Sequence, residues 1–226
     1  MSILSSDYLP AIEIESGAHP THAVLWMHGL GADGNDFVPI VQELELPMKT
    51  AIRFIFPHAP QQEVSINGGL VMRAWYDIKN INLNQHEDEK GIRSSQHAIT
   101  ALIGRENQRG IPSRNIILAG FSQGGVMALH VGLHHPEKLG GIMALSSYLP
   151  LTHTLRKEAH IANASTQIVM AHGSYDPIIP IQLAKASRQL LLQNGYQVEW
   201  HEYPMAHSVC AEELIDISKW LRKVLL

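Results

Sequence analysis

Short, almost uninterrupted apolar runs alternate along the chain with longer amphipathic stretches, the pattern of a parallel sheet wrapped by helices. The runs Ala23–Met27, Ile52–Phe56, Asn115–Ala119, Gly141–Leu145 and Gln167–Ala171 predict strands covered on both faces. Gln197–Tyr203 mixes polar and apolar residues and predicts an edge strand. Between them, Glu87–Gln108 predicts the clearest helix. Glu87, Asp88 and Glu89 suit its N-terminal dipole end, Ile92, Ile99, Leu102 and Ile103 mark an apolar face, and Gly110 and Pro112 stop it. Further helices are predicted over Gln123–Leu133, Ile181–Asn194 and Ala211–Leu225. Pro57–Ala74 and Ser146–Ala164 fit neither period and are expected to be irregular loops at strand ends, where open α/β sheets bind ligands.

No repeat, low-complexity tract or linker divides the 226 residues, so one α/β domain spanning 1–226 is expected. Hydrophobic residues make up 45%, enough for a full core. Seventeen basic against 21 acidic residues give −4, which offers no electrostatic footprint for nucleic acid or an anionic membrane surface. No apolar run is long enough to span a bilayer, so no integral membrane segment is expected. The start, Met1 to Tyr8, has no basic region and meets an acid at Asp7, unlike a secretory signal. One cysteine, Cys210, leaves no internal disulfide framework and no CxxC motif, and a reducing, cytoplasmic setting is the expectation. Val224-Leu225-Leu226 either joins a homodimer contact or completes the last helix.

The strongest chemical signal is Gly120-Phe121-Ser122-Gln123-Gly124-Gly125. A GxSxG string arises by chance roughly 0.1 times in a chain this long, at an average glycine usage of about 7%. Its place between a predicted strand and a predicted helix makes accident less plausible still. Such a turn lifts the serine hydroxyl above the sheet edge, beside a helix N-terminus whose free N–H groups stabilise an anion. The plain alternative is a glycine-rich turn with a capping serine.

A serine nucleophile needs a base, and the base needs an orienting acid. In this architecture the partners follow in the order acid, then histidine, on loops after later strands. Asp176, after Gln167–Ala171, and His207, after Gln197–Tyr203, satisfy that order. Taken alone, each is an ordinary turn residue or one of 14 histidines. Competing groups fit less well: Glu212 and Asp216 lie within the last helix, His172 is too close to its own strand, and His134-His135 follow a helix. The oxyanion needs two N–H donors. Gln123 supplies one by position, and the early loop His28-Gly29-Leu30-Gly31-Ala32-Asp33-Gly34-Asn35 supplies the other, assigned to Leu30. That loop fits neither a Walker motif nor a dinucleotide fingerprint. No HExxH or ligand-spaced histidines are present, so no metal and no cofactor are called for. Cys210 opens an amphipathic helix without a glycine elbow and reads as a packed thiol. Leu70, Val71, Met72 and Trp75 are candidate substrate walls, or else they pack their loop onto the sheet.

With those residues in place, the chain resembles the carboxylesterase/acyl-protein thioesterase family of α/β-hydrolases, from Val24 to the last helix. The resemblance rests on His28-Gly29-Leu30-Gly31, Phe56-Pro57-His58-Ala59-Pro60, Ala74-Trp75-Tyr76-Asp77-Ile78, Glu87-Asp88-Glu89 and Gly120–Gly125. It extends to Leu145-Ser146-Ser147-Tyr148-Leu149-Pro150, His172-Gly173, Asp176-Pro177 and the His207 segment. It implies an α/β-hydrolase fold without a separate lid domain, a Ser122–His207–Asp176 triad and oxyanion donors at Leu30 and Gln123. Members cleave short to medium carboxylic esters, some deacylate protein cysteines, and several are dimers. Asn67-Gly68-Gly69 and Tyr203-Pro204-Met205 resemble the bacterial esterase branch, and Tyr148 stands where protein-deacylating members often carry tryptophan. The expected function is therefore a serine carboxylesterase acting on a small ester with a short or medium acyl chain. The alternatives are an acyl-protein thioesterase and an inactive hydrolase-fold binding module.

Overall fold

The structure is a computed structural model that describes residues 8–46 and 50–225; the expectations placed on Met1–Asp7 and on Leu226 lie outside them. Seven strands form one sheet: β1 (Ala11–Glu15), β2 (His22–Met27), β3 (Ile52–Pro57), β6 (Ile116–Phe121), β7 (Gly141–Leu145), β8 (Ile168–Gly173) and β9 (Val198–Tyr203). Their order is β1-β3-β2-β6-β7-β8-β9. Only β1 runs antiparallel to its neighbour.

Strand alternation explains the two-sided core. Along β2, Ala23, Leu25 and Met27 face one layer, while Val24 and Trp26 face the other. The first layer is closed by α2 (Glu89–Gln108), α3 (Gln123–His134) and α5 (Ile181–Gln193), through Ile92, Ile99, Leu102, Val126, Leu129 and Leu191. The second is closed by α1 (Ile40–Glu43) and α6 (Ala211–Val224), through Ile40, Ile217, Trp220 and Leu221. A central strand with both faces covered must be apolar throughout, which is why those runs are legible in the sequence. β9 takes the predicted edge.

Three features depart from the sequence reading. β1 (AIEIE) has no continuous apolar run, because it is a half-buried edge whose glutamates face Arg53 and the α2 arginines. Pro57–Ala74 is not irregular: Gln61–Val64 (β4) and Leu70–Arg73 (β5) pair antiparallel as a hairpin turning at Gly68 and Gly69. Its first strand, QQEV, is mostly polar and packs only one residue, Val64, into the interior, so apolar periodicity could not reveal it. Ser146–Ala164 contains one helical turn, α4 (Leu155–Glu158), and a 3-10 turn over Ile161–Asn163. Among the described residues no helix is long and apolar enough to cross a membrane.

Candidate active site

β6 ends at Phe121 and α3 begins at Gln123, leaving Ser122 alone to reverse the chain. It does so at φ 54°, ψ −122°, a conformation costly for a residue with a Cβ and held by its surroundings. The Ser122 amide donates to Leu145 O at 2.9 Å, and its carbonyl accepts from Val126 at 3.0 Å. The turn is possible because β2 and α3 nearly touch: a Cβ on Gly124 would lie 2.1 Å from Met27 O and 2.7 Å from His28 O. Ser122 is 8% exposed, so the turn leaves a small part of the residue open to solvent.

Asp176 and His207 come from the loops after β8 and β9. Those loops are joined by the Ser174 amide on Tyr203 O (2.8 Å) and the Tyr175 amide on Met205 O (3.0 Å). Gly173 permits this approach, since a Cβ there would meet Ala206 O at 2.3 Å. The result is a direct bond between His207 Nδ1 and Asp176 Oδ2 at 2.6 Å. Oδ1 of the same carboxylate accepts the Ile178 and Ile179 amides at 2.8 and 2.9 Å. Burial acts to raise the Asp176 carboxyl, but the nearby His172 N–H and the hydrogen bonds from His207 and the two amides outweigh it and hold it well below the usual carboxylate range. The His207 ring packs on Phe121, the residue before Ser122, at 4.7 Å between centroids. Among the described residues His207 hydrogen-bonds to Asp176 and forms no hydrogen bond to the Ser122 hydroxyl. Ligand-free hydrolases often tighten this last link only on binding substrate.

The early loop is braced from beneath. His28 Nδ1 donates to Gly29 O at 2.7 Å and Nε2 accepts from the Ala59 amide at 3.0 Å, so the ring is neutral and of fixed tautomer; burial lowers its pKa. Immediately after Leu30, the Gly31 amide donates to Arg73 O and the Ala32 amide to Gly29 O. The Gln123 amide, first in α3, has no intrahelical acceptor. Among the described residues, Leu30 and Gln123 thus keep backbone N–H groups free of backbone partners. The Gln123 side chain ties the elbow to the loop after β5: Oε1 accepts from the Trp75 amide at 3.0 Å and Nε2 donates to Tyr76 O at 2.8 Å.

The four expected substrate walls separate. Leu70 is 63% exposed on the hairpin, beside Val71. Met72 lines a cavity of about 570 Å³ with Gly31, Asp33 and Arg73, next to the early loop. Trp75 is corrected: it is 1% exposed and its indole N–H donates to His28 O at 2.9 Å, so it braces the loop rather than facing a ligand. Tyr148 is likewise buried, its hydroxyl 3.3 Å from both Tyr76 Oη and Leu83 O, and its identity says little about the substrate. His172, set aside in the sequence as too close to its own strand to be the base, is turned by the fold toward Asp176, 3.4 Å from Oδ2. The i, i+4 spacing of His172 and Asp176 around a tight loop was the available signal.

Comparison with known proteins settles the family. The family model for phospholipases and carboxylesterases matches residues 9–225. The chain belongs to that family. Among curated relatives of this phospholipase/carboxylesterase chain, it is 39% identical over 231 aligned positions to "Acyl-protein thioesterase 1" of Gibberella zeae, covering 98% of each chain. It is 40% identical to "Acyl-protein thioesterase 1" of Neurospora crassa, covering 94% of this chain and 90% of that one. Among solved structures, Zea mays acyl-protein thioesterase 2 superposes with a TM-score of 0.83 at 26% identity, covering 97% of this chain and 100% of the other. Arabidopsis thaliana SOBER1 gives 0.85 at 29%, covering 91% and 99%. The fold is the α/β-hydrolase fold without a separate lid domain, and the protein is a serine hydrolase.

Proposed function

We propose that the protein hydrolyses acyl thioesters on protein cysteines, and simple carboxylic esters by the same chemistry, with Ser122 as nucleophile, His207 as base and Asp176 as orienting acid. The 2.6 Å bond between His207 Nδ1 and Asp176 Oδ2 carries the reading, because it leaves Nε2 of the same ring as the proton acceptor. Ser122 attacks the acyl carbonyl as its proton passes to His207. The Leu30 and Gln123 N–H groups hold the oxyanion, each contributing roughly 3–4 kcal/mol. His207 then protonates the departing thiol or alcohol and activates the water that releases the acid.

The choice of thioester over a small ester reverses the expectation drawn from sequence. The curated relatives at 39 and 40% identity are named as thioesterases over nearly their whole length. The residue that argued against them, Tyr148, lies inside the protein. A face without a lid domain, flanked by the exposed Leu70 and Val71, suits an acyl chain delivered on a bulky partner. The test sets an S-palmitoylated peptide beside its O-acyl serine analogue and nitrophenyl butyrate. The thioester should be cleaved with the highest kcat/KM, and Ser122→Ala should lose both turnover and fluorophosphonate labelling while keeping its fold. Ester turnover with the S-acyl peptide untouched would restore the carboxylesterase reading.

A further inference from the structure

His172, the last residue but one of β8, has no place in the mechanism above, yet it is fully buried in contact with that mechanism's carboxylate. Its Nε2 lies 2.8 Å from Ile179 O, an atom that can only accept, so Nε2 carries the proton. The same nitrogen is 3.4 Å from Asp176 Oδ2. Nδ1 is buried without a hydrogen-bond partner among the described residues, and the ring lies nearly parallel to Trp200, 6.4 Å between centroids. Burying an imidazole with one nitrogen unpaired is costly, and an apolar side chain of that size would fill the space more cheaply.

The two carboxylate oxygens divide the work. Oδ1 is held by the Ile178 and Ile179 amides, which already close the Asp176 loop without any histidine. Oδ2 meets two imidazoles, His207 at 2.6 Å and His172 at 3.4 Å. His172 therefore acts on the oxygen that orients the base, not on the one that shapes the loop. We propose that His172 is a positioning residue for hydrolysis: its Nε2–H holds the Ile179 carbonyl and Asp176 Oδ2 in one arrangement, keeping Oδ2 aimed at His207. This rests on the Ser122–His207–Asp176 reading.

His172→Phe keeps a ring against Trp200 and removes the donor, His172→Gln returns an N–H near the position of Nε2, and His172→Asn carries an amide too short to reach it. Active sites are counted by fluorophosphonate titration, and kcat, KM and the pH profile of kcat/KM are measured per titrated site. In the Phe and Asn variants kcat should fall roughly 10- to 100-fold with KM within about twofold, the size of effect that a small misalignment of a catalytic group produces. The acid limb of kcat/KM should move to higher pH, because Oδ2, without the neighbouring N–H at 3.4 Å, better stabilises the protonated form of its partner ring. The Gln variant should recover most of both. Loss of titratable sites with unchanged kcat per site and an unmoved acid limb would overturn the proposal, as would Gln and Asn behaving alike. If the Phe variant does not fold, the Gln–Asn pair decides by the same criteria. Ser122→Ala is run alongside, since labelling that persists there refutes the nucleophile assignment itself and leaves a separate signature.

Discussion

Glu213 offers the most quantitative test of the packing around the site. It lies in the first turn of α6, six residues beyond His207, and is 0% exposed. Burial pushes its carboxyl up to about 8, with the Cys210 amide offsetting part of the effect. An unfolded glutamate titrates near 4.5, so below that pH both states hold the proton and Glu213 has no effect on stability. As pH rises from 4.5 to about 8, the unfolded chain releases its proton while the folded one keeps it, and stability falls throughout that window. From 4.5 to 7 is 2.5 pH units, which at about 1.4 kcal/mol each gives a loss of roughly 3 kcal/mol by pH 7 as an upper bound. Glu213→Gln is nearly isosteric with the protonated acid and cannot ionise. Its Tm should match the parent at pH 4.5 and exceed it increasingly towards pH 8. At about 2–4 °C per kcal/mol for a chain of this size, the gap should be of order 6–12 °C near neutrality. Thermal melts of both proteins at half-unit pH steps measure it. Parallel curves across that range would show that the carboxyl is hydrated and the reasoning wrong.

Other perturbations probe the site directly. Asp176→Asn should leave Tm near that of the parent while lowering kcat by roughly 10⁴, since the amide allows the wrong His207 tautomer; single-turnover acylation rates would show it. Gly124→Ala pushes a methyl against the Met27 and His28 carbonyls, and should cost about 1–3 kcal/mol in urea unfolding and lower kcat by shifting the early loop. Leu70→Gln on the exposed lip should raise KM for long-chain substrates by roughly 3- to 10-fold, the value of about 1 kcal/mol of lost apolar contact, and leave short-ester turnover unchanged.

The amino-acid sequence alone determined the parts whose signal is local. Strands buried on both faces must be apolar throughout, so β2, β3, β6, β7 and β8 could be read within a residue or two. The glycines around Ser122 marked the elbow because no side chain fits between β2 and α3. Chain order then selected Asp176 and His207, which the fold brings to 2.6 Å. What required the tertiary structure was everything set by contacts between distant segments. β1 and the β4–β5 hairpin carry polar residues whose partners lie elsewhere, as in the Glu15–Arg53 and Ser65–Asp77 bonds. Trp75 and Tyr148 look the same in sequence whether they face a ligand or the interior; only the course of the backbone put them inside. His172 gained its carboxylate through the turn from Gly173 to Ile179, a geometry that no periodicity encodes. Periodicity records which side of an element is buried, whereas a site depends on which atoms meet across elements, and that is decided only when the chain packs.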